Sequence, residues 1–94
     1  TAPTIGLFIY LSENNGLNKY GLEMLKRFFK IISKKERDNI TFSTELQGST
    51  FLVAATSVAA GNDLRTFFKE YGFPIDDGYF NNIFPVLEKR IEYY

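Results

Sequence analysis

The run FLVAATSVAAG, Phe51 to Gly61, constrains this chain more than any other stretch. A segment this apolar has to be covered on most sides, and it can be covered as a helix or as a strand. Richness in alanine favours helix, and Gly61 is a typical helix stop. Upstream, Thr44 followed three residues later by Gln47 fits a capping box, in which each side chain satisfies a free backbone donor. These cues predict a largely buried helix from about Thr44 to Ala60. The longer stretch ITFSTELQGSTFLVAAT also alternates well enough for a β-hairpin turning at Gln47-Gly48, which would make the fold α+β.

Elsewhere the period is helical. From Asn18 to about Lys35, Leu22, Leu25, Phe29 and Ile32 recur at three- and four-residue spacing, with Met24, Phe28 and Ile31 beside them. Lys26, Arg27, Lys30, Lys34 and Lys35 fill the remaining positions and read as a solvated basic face. A first helix spans about Thr4 to Ser12, with Pro3 suited to its first turn and Ile5, Phe8, Ile9 and Leu11 apolar. Asn14, Asn15 and Gly16 then supply residues that tolerate positive φ. Lys34 to Asn39 is a charged connection, and Asn39-Ile40-Thr41 matches a glycosylation sequon.

After Gly61, Asn62 or Asp63 can cap a short helix with Leu64, Phe67, Phe68 and Tyr71 on its inner face, closed by Gly72 and broken at Phe73-Pro74. Asp76 or Asp77 restarts the chain. Phe80, Ile83, Phe84, Leu87 and Ile91 repeat at helical spacing, and Pro85 either sits in the first turn or kinks the helix. The expected fold is all-α, a compact bundle of about five helices in a single domain or subdomain over residues 1–94.

Composition excludes several functions. There is no Cys and no His, which removes thiolate chemistry, disulfides, imidazole acid–base work and nearly every ordinary zinc site. Eleven Lys and Arg balance eleven Asp and Glu, so the broad positive field that nucleic-acid binding needs is missing. No apolar run is long enough to span a membrane, and the start lacks the basic region of a signal peptide. Glycine-rich phosphate signatures are absent too. Asp76-Asp77-Gly78 could contribute oxygen ligands to Ca²⁺, but turn and N-cap duty suits it better, since the spaced series of an EF-hand loop is missing.

With ten Phe and six Tyr, aromatic residues make up 17% of the chain, and Phe67, Phe68, Tyr71 and Phe73 gather in one short stretch. At helical spacing such a cluster is core, or else a platform for a peptide or a carbohydrate. No catalytic, cofactor-binding or metal-binding residue stands out. Tyr93 and Tyr94 are expected to be exposed or docked on a neighbouring body.

The stretch STFLVAATSVAAGNDLRTFFKEYGFPIDD resembles the C-terminal helical part of the enhancin-like zinc metallopeptidases, a branch of the gluzincins. Their pattern there is met by Ser57, Ala60, Gly61, Asp63, Leu64, Phe67, Phe68, Tyr71, Gly72, Phe73 and Pro74. The earlier IGLFIYLSENNGLNKYGLEMLKRFF is similar to the helix, turn and long helix that follow the zinc site in that family. The resemblance implies a fragment of a secreted or cell-surface zinc endopeptidase, often directed at mucin-like glycoproteins. It implies a catalytic domain as partner, with zinc held there by H-E-x-x-H and a downstream Glu. This chain contains no H-E-x-x-H, so the catalytic helix lies upstream of it or the parent has lost zinc. Either way, the resemblance implies a subdomain that packs under the catalytic cleft and shapes it. A rival expectation is an independent helical module that binds a peptide, glycan or partner protein through its aromatic residues.

Overall fold

The uncharged run of the third helix decides the architecture. The computed structural model describes residues 2–34 and 40–93, and side chains from residue 6 onward within them. The elements are α1 (Ala2–Glu13), α2 (Glu23–Lys34), α3 (Glu45–Ala60), α4 (Arg65–Glu70) and α5 (Asp77–Ile91). No strand occurs among the described residues, so Gln47-Gly48 lies inside a helix and makes no hairpin turn. α3 is the central rod, packed chiefly between α2 and α5, with α4 also against it. From Thr50 to Ala60 every residue is buried except Leu52, which is 49% exposed. Ala54, Ala55, Ser57, Ala59 and Ala60 supply little bulk, so neighbouring helices approach the rod closely and larger side chains such as Phe51, Met24, Ile31, Phe80 and Leu87 fill the space around it. Each large side chain so buried contributes about 1.5–3 kcal/mol of hydrophobic transfer free energy.

Both ends of α3 are satisfied by side chains or turn geometry. At its start the Gln47 N–H donates to Thr44 Oγ1 at 3.1 Å, the expected N-cap. Gln47 Oε1 reaches one residue further back than a standard capping box and accepts from the Ser43 N–H and hydroxyl. At its end Gly61 adopts φ 73°, and the chain closes a Schellman motif, with Gly61 N–H donating to Val58 O and Asn62 N–H to Ser57 O. The last carbonyls also accept from outside the helix. Lys19 N–H donates to Ala60 O, and Arg27 donates through Nε to Ala59 O and through Nη2 to Val58 O, both at 2.9 Å. Arg27 therefore departs from the solvated basic face expected for it. Its guanidinium lies 3.6 Å over the Tyr20 ring and seals the negative end of the α3 dipole. Lys26 and Lys30 do face solvent.

α2 carries two overlapping sets of apolar residues and turns mainly one of them inward. Met24, Phe28 and Ile31 are buried and Leu25 and Ile32 are half-buried, whereas Leu22 is 78% and Phe29 62% exposed. Two overlapping apolar stripes share this helix, and only one can meet α3. α2 also starts later than Asn18. Residue Asn18 is instead a buried turn organiser: its Nδ2 donates to Gly21 O at 2.9 Å, and its Oδ1 accepts from Tyr20 N–H at 3.0 Å. The left-handed glycine of this connection is Gly21 at φ 56°, not Gly16. Asn14 shapes the preceding turn by accepting from Gly16 and Leu17 N–H. α1 buries Leu11 and half-buries Leu7 and Phe8, but leaves Ile9 outside. The Ile5 side chain, the Lys34–Asn39 connection beyond Lys34, the Asn39 sequon and Tyr94 lie outside the described residues.

The corner between α3 and α5 is built from short-range chemistry. Neither Asn62 nor Asp63 takes the N-cap position of α4, which is Leu64 without a side-chain cap: Asp63 Oδ1 accepts from Arg65 N–H just ahead of it, and Asn62 is drawn away to donate to Leu17 O. α4 ends in a second Schellman motif: Gly72, at φ 83°, donates to Lys69 O, and Phe73 N–H donates to Phe68 O. The two residues that such a motif brings together, Phe68 and Phe73, meet edge to face at 5.1 Å. Asp76 then caps α5 by accepting from Tyr79 N–H. Its own N–H donates to the buried Thr50 hydroxyl of α3 at 2.9 Å, which pins the start of α5 to the central rod. Pro85 lies in the interior of α5, beyond the first turn where proline is most easily accommodated. It is exposed, as is Asn81, whose carbonyl loses its usual intrahelical donor. Phe80, Ile83, Phe84, Leu87 and Ile91 all pack on the core, as their spacing requires.

Candidate functional site

The four aromatic residues singled out in the sequence do not form one surface. Neighbouring positions on a helix are about 100° apart, so Phe67 and Phe68, although their rings meet edge to face at 5.3 Å, have different surroundings. Phe68 is buried and pairs with half-buried Phe73. These two line an apolar cavity of about 250 Å³ together with Leu7, Phe8, Leu11, Phe28, Leu52, Val53 and Thr56. The Thr56 hydroxyl donates to Leu52 O, so the cavity wall offers a ligand no free polar handle there. Phe68 and Phe73 are packing residues.

Phe67, half-buried at the edge of the core, and exposed Tyr71 are joined by a residue the sequence reading missed, Tyr10 of α1. The Tyr10 and Phe67 rings stack at 5.9 Å and 6°, and Phe67 meets Tyr71 at 5.0 Å and 48°. The hollow they border, about 340 Å³, is also lined by Leu17, Asp63, Leu64, Thr66 and Glu70. Tyr10 and Tyr71 are 50% and 57% exposed, so their rings reach solvent instead of the core. Nothing local could have revealed Tyr10, which comes from a helix remote in sequence. It sits one position from Ile9 on the side of α1 that α2 and α3 leave uncovered.

Beside this hollow lies a charged network. Arg65 pairs with Asp63 at 2.7 Å and with Asp77 at 3.2 Å, donates to Asn81 Oδ1, and rests 4.2 Å over the Phe80 ring. Lys69 also reaches Asp77, at 3.1 Å. The Arg65 hydrogen bond holds the Asp63 carboxyl below the usual carboxylate range, against the opposite pull of partial burial. Lys69 foremost, then Arg65, does the same for Asp77. Asp76 and Asp77 are thus spoken for, as helix cap and as ion-pair partner. A third surface is the outer face of α2, where Leu22, Leu25 and Phe29 lie with Lys26, Lys30 and Ser33 around a shallow depression.

The zinc implied by the family resemblance does not fit this chain. It has no His or Cys, and among the described residues no three acidic side chains converge. Among the described residues no helix is long and apolar enough to cross a membrane. Compared with protein-family models, with curated proteins and with solved structures, the chain finds no match.

Proposed function

We propose that the chain is a non-catalytic helical subdomain that docks on a larger protein body through outward apolar surface. The observation that carries this reading is on α2. Leu22, in the turn that leads into α2, and Phe29 on the outer side of the helix are 78% and 62% exposed although the helix already buries Met24, Phe28 and Ile31. Side chains of that size gain about 1.5–3 kcal/mol each when covered. Lys26 and Lys30, with Glu23 and Ser33, give the contact a polar rim. The gluzincin resemblance supplies an identity for the body: the catalytic domain of a secreted or cell-surface zinc metallopeptidase acting on glycoproteins, whose cleft this subdomain shapes from below.

The test has two parts. Reading the gene upstream of Thr1 for an H-E-x-x-H within a few dozen codons supports the metallopeptidase identity, and an unrelated domain or an initiation codon there removes it. Docking itself is tested by Leu22→Asp with Phe29→Asp in the whole gene product. Protease-sensitive separation of this subdomain from the rest is expected, and unchanged protection in the double variant would rule out α2 as the docking face.

A second reading, an independent module binding through aromatic residues, is favoured by the ring cluster of Tyr10, Phe67 and Tyr71. It uses a different surface and is compatible with the first.

A further inference from the structure

We infer that the hollow bordered by Tyr10, Phe67 and Tyr71 binds a cationic side chain, arginine above all, presented by a basic segment of a partner protein. This site is separate from the α2 face, so it stands or falls independently of the docking reading.

The geometry points to a cation in three ways. First, the rings form a bent wall: Tyr10 and Phe67 are parallel, and Tyr71 is tilted by 48° to Phe67. A bent wall offers π faces from more than one direction, and the negative face of an aromatic ring attracts a guanidinium or ammonium placed over it. Second, the charge at the lining is of one sign. Asp63 and Glu70 border the hollow, and no lysine or arginine does among the described residues. Asp63 is engaged by Arg65, whereas Glu70 makes no ion pair among the described residues and leaves a carboxylate on the rim. Third, among the described residues Arg27 rests over Tyr20 and Arg65 over Phe80, each guanidinium also holding a backbone or carboxylate partner. The hollow's lining brings together the same two kinds of group, aromatic rings and carboxylates. At about 340 Å³ it has room for a guanidinium and part of its stem. Arginine is preferred to lysine because its planar head stacks on a ring while its edge donates to a carboxylate.

The experiment is an amide NMR titration of the 94-residue chain with a short blocked peptide containing one arginine. Parallel titrations use the same peptide with lysine, the same peptide with citrulline, and N-acetylglucosamine. Saturable shifts are expected at Tyr10, Thr66, Phe67, Glu70 and Tyr71 with arginine, weaker ones with lysine, and at least about threefold weaker binding with neutral citrulline. Glu70→Gln should weaken the arginine peptide about threefold, the scale of one exposed ion pair, and raised salt should do the same. Tyr71→Ala should weaken it further. Because both residues are exposed, a preserved amide spectrum away from the hollow verifies folding, and Glu70→Gln alone suffices if Tyr71→Ala perturbs it. Equal binding of citrulline and arginine, absence of saturable shifts, or tighter binding of the sugar at these residues would overturn the assignment.

Discussion

Gly61→Ala probes how the centre of the fold is closed. Gly61 holds φ 73°, where an L side chain costs about 1–2 kcal/mol. Replacing glycine also restricts the unfolded chain, which offsets about 0.4–1 kcal/mol of that. At Gly61 a further effect applies, because an added Cβ would lie 2.6 Å from Tyr20 Cε2, well inside contact distance. The ring must swing away, and in doing so it leaves Arg27, whose guanidinium it covers and whose Nε and Nη2 hold the last carbonyls of α3. Losing an exposed cation–π contact costs about 0.5–1 kcal/mol, and pushing the ring off its rotamer costs a similar amount. The net destabilisation should be about 2–3 kcal/mol, a fall in Tm on the order of 10–20 °C for a chain of this size. Gly72 provides the control, since it has φ 83° but nothing within 4 Å of its added Cβ. Gly72→Ala should therefore cost only about 1 kcal/mol. Thermal unfolding followed by circular dichroism measures both. If Gly61→Ala is no more destabilising than Gly72→Ala, or if Tyr20→Ala fails to relieve part of its effect in the double variant, the account of this junction is wrong.

Three further outcomes follow from the same structure. Phe68→Ala should lose about 3–5 kcal/mol in chemical denaturation, whereas exposed Tyr71→Ala should stay within about 1 kcal/mol of the parent; equal losses would refute the division of the aromatic cluster. Arg27→Met removes both donors from the end of α3 and leaves Ala59 O without its partner, for an expected loss of about 1.5–3 kcal/mol; Arg27→Lys, with one donor head in place of a fork, should recover only part of it. The folded-state carboxyls of Asp63 and Asp77 both lie below the ordinary value of about 3.9, so their stabilisation is complete above about pH 5 and is lost as pH falls through the depressed values. Asp63→Asn combined with Asp77→Asn should flatten the acid limb of Tm against pH, and an unchanged limb would show that these pairs do not couple to folding.

Where helices begin and end was legible because it is local chemistry. Thr44 with Gln47, Gly61, Gly72 and Asp76 act within a few residues of themselves, and each performs a cap or stop that its type predicts, whereas Asp63 falls one residue short of the α4 N-cap, which is Leu64. The helix over Glu45–Ala60 was legible for a similar reason, although the hairpin alternative shared its alternation. Asn18 was the local exception, since its side chain folds back on the turn and delays α2 to Glu23.

The amino-acid sequence by itself thus determined that the chain forms helices, where most of them stop, and that it lacks the side chains for thiol, imidazole or ordinary zinc chemistry. It could not determine which stripe of α2 faces inward, because Leu22, Leu25 and Phe29 compete with Met24, Phe28 and Ile31 on one helix of two apolar faces. Only packing against the small residues of α3 resolves that competition, and the loser becomes the exposed surface on which docking is proposed. Arg27 as a cap for a helix some thirty residues away, and Tyr10 as the third ring of the hollow, are likewise products of tertiary structure. Periodicity reports contacts along a helix. It carries no information about which distant backbone oxygen or ring will stand opposite.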